Sequence, residues 1–191
     1  MNFNLYVNYF NHSKPDRKKE LDLCLRNNIS NPLLNVIVVE SEGRLKYSDY
    51  FNLIRRYTAF DDINIIANLD IYFDKDSLLL CSSMSQNDFY TLCRWEVKKD
   101  GTIIFWDRPD SQDVWIMKGA PRDIYGDFEL GKLGCDNRMV YEVKKVGYNI
   151  KNPSLSIKTF HLHNSNIRNY TVGNTKDIVP GPHEKINPCY L

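Results

Sequence analysis

The chain has no Cys-X-X-Cys pair, no long apolar run, no block of like charge and no glycine-rich loop behind its first strand-like segment. Each absence narrows what it can do. Its five cysteines, Cys24, Cys81, Cys93, Cys135 and Cys189, are odd in number and scattered. That excludes a disulfide framework and a zinc ribbon, and it suits a reducing compartment. No stretch approaches the roughly 18 apolar residues that span a bilayer. The opening Met1-Asn2-Phe3-Asn4-Leu5-Tyr6 lacks the basic and apolar regions of a secretory leader. The Asn-X-Ser/Thr triplets at Asn11, Asn28 and Asn169 are therefore expected to be unused, and the expected location is the cytoplasm. With a net charge of +1, there is no bulk attraction to nucleic acid or to a membrane surface. The one basic run, Arg17-Lys18-Lys19, is followed by Glu20 and reads as a solvated helix face.

What is present fits a single globular domain over residues 1–191, with 42% hydrophobic residues and no repeat, low-complexity tract or linker to divide it. Alternation from Phe3 to Phe10 predicts a first strand. Ser13-Lys14-Pro15 opens a helix from about Asp16 to Asn27-Asn28. Leu33 to Glu40 reads as a second strand, with Val36-Ile37-Val38-Val39 buried on both faces. A helix over Tyr47 to Arg56 then leads to the strand Ile63 to Ala67, around which the chain is organised. This β-α-β-α-β order predicts an α/β fold with a mixed, mainly parallel central sheet flanked by helices. Further on, a helix is expected over about Lys75–Met84 and a strand over Phe89–Val97. Thr102–Trp106 returns as a hairpin, and Asp113–Met117 is strand-like. The last predicted elements are a helix from about Asn137 to Val146, a strand from Ile157 to His163, and an extended strap carrying Pro180, Pro182 and Pro188.

Two stretches carry most of the chemistry. Ala67-Asn68-Leu69-Asp70 places Asn68 and Asp70 at a strand's carboxyl end, where ligands bind in open α/β sheets. A carboxylate there suits a hard divalent cation, although Asp70 could instead cap the following helix. In Phe160-His161-Leu162-His163, the two imidazoles share one face of a strand. They suit Mn²⁺ or Zn²⁺ better than Mg²⁺, with a structural histidine pair as the alternative. Asp113 and Asp136 are further carboxylates, Asp136 being equally readable as a helix N-cap. Arg94-Trp95-Glu96 reads as sheet packing or a cation–aromatic surface, and Trp115 as core. Arg168, with its neighbouring amides, could hold a phosphate.

Taken in order, Ala67-Asn68-Leu69-Asp70-Ile71-Tyr72-Phe73-Asp74, Leu92-Cys93-Arg94-Trp95-Glu96, Gln112-Asp113-Val114-Trp115, Gly131-Lys132-Leu133-Gly134-Cys135-Asp136-Asn137-Arg138 and Asn152-Pro153-Ser154-Leu155 before His161-Leu162-His163 carry a family likeness. The chain resembles the small GT-A-type glycosyltransferases of bacteria and large DNA viruses, including the rhamnosyltransferase-like domain of chlorella viruses. The resemblance runs from Tyr9 to the proline-rich tail. It implies one GT-A domain that uses Mn²⁺ or Mg²⁺ to transfer sugar from a nucleotide-diphosphate sugar, usually a UDP-sugar, to a glycan or glycoprotein hydroxyl. Asn68-Leu69-Asp70 falls where the family has Asp-X-Asp, with Asn in place of the first Asp. Asp70 would then be the main carboxylate ligand, with His161 or His163 completing the metal shell. Asn8, Tyr9, Arg17 and Glu40 would meet the nucleotide, and Lys158 or Arg168 the diphosphate. Asp113, ahead of Asp136, would be the catalytic base. Two other readings stay open. One is a nucleotidyltransferase or pyrophosphorylase, against which stands the missing glycine-rich loop. The other is a non-catalytic binding module, which the Asn68 departure keeps open and against which the two histidines and Asp113 stand.

Overall fold

The computed structural model describes residues 1–165, 167 and 174–191. β1 (Phe3–Tyr9) leads into α1 (Pro15–Ile29), whose first turn holds Pro15, where a missing N–H leaves nothing unpaired. β2 (Leu34–Glu40) lies parallel to β1 on one side. α2 (Tyr47–Tyr57) crosses back, and β3 (Ile63–Ala67) lies parallel to β1 on the other side. β4 (Ile71–Phe73) and α3 (Lys75–Leu78) follow, continued by a 3-10 turn over Leu79–Ser83. Then come β5 (Asp88–Leu92), β6 (Trp95–Val97), β7 (Ile103–Phe105) and β8 (Val114–Lys118). α4 (Cys135–Lys145), β9 (Asn149–Lys151) and β10 (Thr159–His161) complete the set.

The large sheet has the order β2-β1-β3-β8-β5-β9. Its pairings make β8 antiparallel to both neighbours and the rest parallel, so five strands run one way and β8 alone the other. A smaller sheet, β4-β10-β6-β7, takes over where β3 and β5 leave the large one. The chain passes from β3 to β4 through residues 68–70, and from β5 to β6 through Cys93 and Arg94. Asp113 enters β8 beside both crossings, its N–H donating to the carbonyl of Leu92 and its carbonyl accepting from the N–H of Asn68. This junction between the sheets is where the charged side chains gather.

Strand alternation divides the apolar residues between the two faces of the large sheet. Leu5, Val7, Ile65, Ala67, Leu92, Val114 and Ile116 face α1 and α3, meeting Leu21, Leu78 and Cys81. Tyr6, Ile66, Phe89, Trp115 and Met117 face α2 and α4, meeting Tyr47, Phe51, Ile54, Met139 and Val143. Burying one such side chain contributes about 1.5–3 kcal/mol. Asn64 interrupts β3 without leaving unpaired polar atoms. Its amide donates to Thr58 Oγ1 at 2.7 Å and to the carbonyl of Gly119 at 3.0 Å, and its oxygen accepts from Asn4.

Several expectations need correcting. Val36–Val39 is not buried on both faces, because β2 is the edge strand and leaves Val38 exposed. Residues 71–73, for which no element is expected, form β4. Three residues are too few to show a periodicity. The helix expected over 75–84 breaks after Leu78 into the 3-10 turn, and its cap is Asp74, whose carboxylate accepts from the N–H of Ser77. The strand expected over 89–97 is two strands in two sheets, parted at Cys93 and Arg94. The tail does run as a strap: Glu184, Ile186 and Cys189 donate their N–H groups to the carbonyls of Asn137, Pro109 and Asn152.

Candidate functional site

At the carboxyl ends of β1 and β3 lies a cavity of about 410 Å³. In a sheet ordered 2-1-3 this is the switch point, where the first two crossovers diverge and leave a crevice. Its wall includes Asn8, Arg17, Asp70, Arg94, Asp113 and His161. Asp70 is the hub. Arg17 Nη2 and His161 Nε2 both reach its Oδ2, the latter at 3.1 Å. His161 Nδ1 lies 3.2 Å from Glu96 Oε1, which also accepts from Arg94 Nε at 2.7 Å. Arg94 Nη1 donates to Asp113 Oδ2 at 2.7 Å, and the Asn68 amide donates to Asp113 Oδ1 at 2.7 Å. Charges thus alternate along one chain of contacts: Arg17, Asp70, His161, Glu96, Arg94, Asp113.

The network is nearly dry: Arg17 and His161 are 6% exposed and Asp113 is 7% exposed. At such burial, an uncompensated charge is costly and a paired one is tightly held. Burial opposes ionisation of Asp70, but the charge and hydrogen bond of His161, joined by those of Arg17, hold its carboxyl well below the usual range. Burial likewise disfavours the His161 imidazolium, yet Asp70 and Glu96 lift its pKa to about 9. Glu96, pulled down against burial by His161 and Arg94, lies at about 2.

Asp70, His161 and His163 bring a carboxylate oxygen and two imidazole nitrogens within 4.8 Å of one another. The residues present fit a divalent cation. His163 Nε2 donates to the carbonyl of Ile167 at 2.9 Å, leaving Nδ1 as its free lone pair. Burial and the nearby Arg17 charge keep that ring below its ordinary pKa, and so neutral at pH 7. Glu96 can hold the Nδ1–H of His161 in the same way, directing inward an Nε2 whose proton leaves when a cation binds. Ring nitrogens anchored from behind by an acceptor are the usual support of metal-binding histidines.

Asn68 has its own explanation. A carboxylate in its place would stand against that of Asp113, whereas the amide donates to it. Asp70 is not a helix cap, that role belonging to Asp74. Asp136 is not an N-cap either, since α4 is capped by Gly134 in a left-handed conformation.

Among the remaining expected site residues, Asn8 lines the cavity and donates to the carbonyl of Val39 and to Ser41 Oγ. Tyr9 does not line it. Its hydroxyl donates to Asp22 and accepts from Lys18 on the α1 side. Glu40 lies in a separate groove between β2 and α2, with Leu53 and Tyr57. Lys158 stands over the Trp95 ring at 5.4 Å, away from the cavity wall. Arg168 lies outside the described residues. Arg94, Glu96 and Tyr50 had no place in the expected site. Arg94 and Glu96 sit two apart around β6, so both side chains turn to the same face, a signal present in the sequence but read as packing. Tyr50, on α2, lines the cavity, and its hydroxyl is buried without a hydrogen-bond partner among the described residues.

Asp136 sits behind this wall, accepting from the N–H groups of Gln112 at 3.2 Å and Asn137 at 2.9 Å. Burial pushes its pKa up to about 6; the N–H of Asn137 pulls the other way and the charge of Asp113 adds to the rise. A raised carboxyl pKa means that the fold favours the protonated form. Its cost is absent below about pH 4, grows as pH rises through about 6, and is constant above. Asp136→Asn removes that cost but leaves one of the two N–H donors less well met. The expected gain is about 1–2 kcal/mol at pH 7.5 and none at pH 4. Thermal melts of both proteins at the two pH values check this, and a variant less stable than wild type at pH 7.5 would refute it.

Among the described residues, no helix is long and apolar enough to cross a membrane. No protein-family model matches the sequence, and no curated protein matches it.

Proposed function

We propose that the chain is a metal-dependent glycosyltransferase with a GT-A fold, moving a sugar from a UDP-sugar to a hydroxyl of a glycan acceptor. The observation that carries this reading is the donor set of Asp70, His161 and His163 in the wall of a cavity at the carboxyl ends of β1 and β3. The single reversed strand in a parallel sheet supports it, as does the sequence resemblance. Asp70, His161 and His163 would hold Mn²⁺ or Mg²⁺, which supplies Lewis-acid relief for the charge of a departing diphosphate. Arg17 adds a guanidinium whose planar fork matches phosphate oxygens.

Transfer also requires the acceptor hydroxyl to lose its proton as its oxygen bonds to the sugar carbon and the bond to diphosphate breaks. Asp113 takes that proton in this reading. Its carboxylate faces the cavity, whereas Asp136 lies behind Gln112. Each Asp113 oxygen already accepts one hydrogen bond, and a carboxylate oxygen has a second lone pair to offer. The Asn68 and Arg94 contacts fix its orientation.

Calorimetric titration of UDP, GDP and dTDP, each with and without Mn²⁺, tests the reading. UDP binding that vanishes on chelation is the expected result. No nucleotide binding under any of these conditions would overturn it.

A further inference from the structure

Arg17 lies in the first turn of α1, yet its guanidinium is almost fully buried against the cavity floor. Its two terminal nitrogens do different things. Nη1 is held by Glu20 Oε2 and by the carbonyl of Leu162, each at 3.0 Å. Glu20 is anchored in turn by the N–H and hydroxyl of Ser165, at 2.7 and 2.8 Å. Nη2 reaches the Oδ2 atom of Asp70, the oxygen that also faces His161 Nε2. Of the carboxylate that would anchor a cation, one oxygen therefore already meets both a guanidinium N–H and the His161 ring.

A divalent ion brought to this group alone adds two positive charges beside a guanidinium that burial keeps from being screened. A diphosphate arriving with the ion reverses the balance. It supplies negative charge, and it offers Arg17 oxygens of the geometry that its fork binds best. Nη1, pinned by Glu20 and Leu162, gives the guanidinium a pivot, so that Nη2 can leave Asp70 without the side chain leaving the cavity.

We propose that Arg17 holds the cation position at Asp70 in the resting protein and exchanges to the diphosphate when metal and nucleotide bind together, so that each ligand is bound tightly only with the other. This rests on the transferase reading and adds to it a control on metal uptake. By linkage, the factor by which UDP tightens Mn²⁺ must equal that by which Mn²⁺ tightens UDP.

The test measures Mn²⁺ binding by electron paramagnetic resonance, with and without UDP, in wild type, Arg17→Met and Arg17→Lys. Wild type is expected to bind Mn²⁺ about tenfold or more tightly with UDP than without. Arg17→Met should bind Mn²⁺ alone about tenfold more tightly than wild type and lose most of the UDP enhancement. Arg17→Lys, keeping the charge without the fork, should suppress metal binding alone as wild type does, and it carries the comparison if the Met variant does not fold. UDP-dependent Mn²⁺ binding in wild type, with unchanged metal-alone affinity in Arg17→Met, overturns the exchange while leaving the transferase reading in place. Failure of every variant to bind Mn²⁺ or UDP overturns both.

Discussion

Arg94→Met is expected to lower stability by about 3–5 kcal/mol at pH 7, the cost of removing one partner from a buried ion network. Methionine approximates the length of the arginine stem, so the loss isolates the guanidinium. That group meets Glu96 at 2.7 Å, Asp113 at 2.7 Å and Ser111 Oγ at 3.1 Å, and stands 5.4 Å over the Trp106 ring. Without it, Asp113 keeps only the amide of Asn68, and Glu96 only His161. For a domain of this size the loss corresponds to a fall in Tm of about 10 °C. The pH dependence follows from Glu96, whose pKa is depressed to about 2. Its pairing stabilises the fold above the unfolded carboxyl range and is lost as pH falls towards 2. The deficit of the variant should therefore be full at pH 7 and shrink as pH drops below about 4. Thermal melts across that range check it, and a variant melting within a degree or two of wild type at pH 7 would mean that the network contributes little.

The position of Arg94 also shows where sequence reasoning stops. Asp70 and the histidine pair were legible because each is marked locally. Asp70 ends a buried apolar run, and His161 and His163 alternate on a strand. Arg94 and Glu96 are marked by spacing too, but what they face belongs to β10 and to the start of β8. Only the change of sheets at residues 93–94 turns them towards the site. That change leaves no trace in hydrophobic patterning, since Leu92, Cys93 and Trp95 read as one apolar run. The two charges flanking Trp95 were the signal, and opposite charges within an apolar strand are better read as a buried pair than as decoration.

The same limit explains Tyr9 and Glu40. Nearness to a strand end marks both, yet neighbouring residues on a strand face opposite ways. Asn8 and Phe10 reach the cavity, while Tyr9 between them turns to Asp22 and Lys18. Glu40 ends an edge strand, so one side of it has no neighbour to complete a cleft with β1. The direction of the three parallel strands was readable from their crossovers. The reversal of β8 was not, because both of its partners are distant in sequence.

Asp70→Asn should have the broadest effect, since it acts on both stability and ligand binding. The substitution keeps the shape and removes the charge that faces Arg17 and His161, leaving two buried cations with a neutral amide between them. In metal-free protein the expected loss is about 3–5 kcal/mol. Its pH dependence is opposite to that of Arg94→Met. His161, raised to about 9 in the fold, stabilises fully below the ordinary histidine range, and that contribution is lost as pH rises through about 9. The deficit of Asp70→Asn should thus be largest below about pH 6.5 and narrow towards pH 9.5, with the His161 ring titrating in the variant well below its value in the wild type. Proton resonance of the ring and melts at both pH values read these two effects directly. The same variant should lose Mn²⁺-dependent UDP binding altogether, because the neutral amide replaces the only carboxylate among the three donors. The two losses can separate. Reduced stability with metal-dependent nucleotide binding intact would place the cation elsewhere in the cavity and leave Asp70 as the counter-ion of Arg17 and His161 alone. Lost binding with unchanged stability would mean that Arg17 and His161 find other partners, and that the alternating chain of charges is weaker than its distances imply.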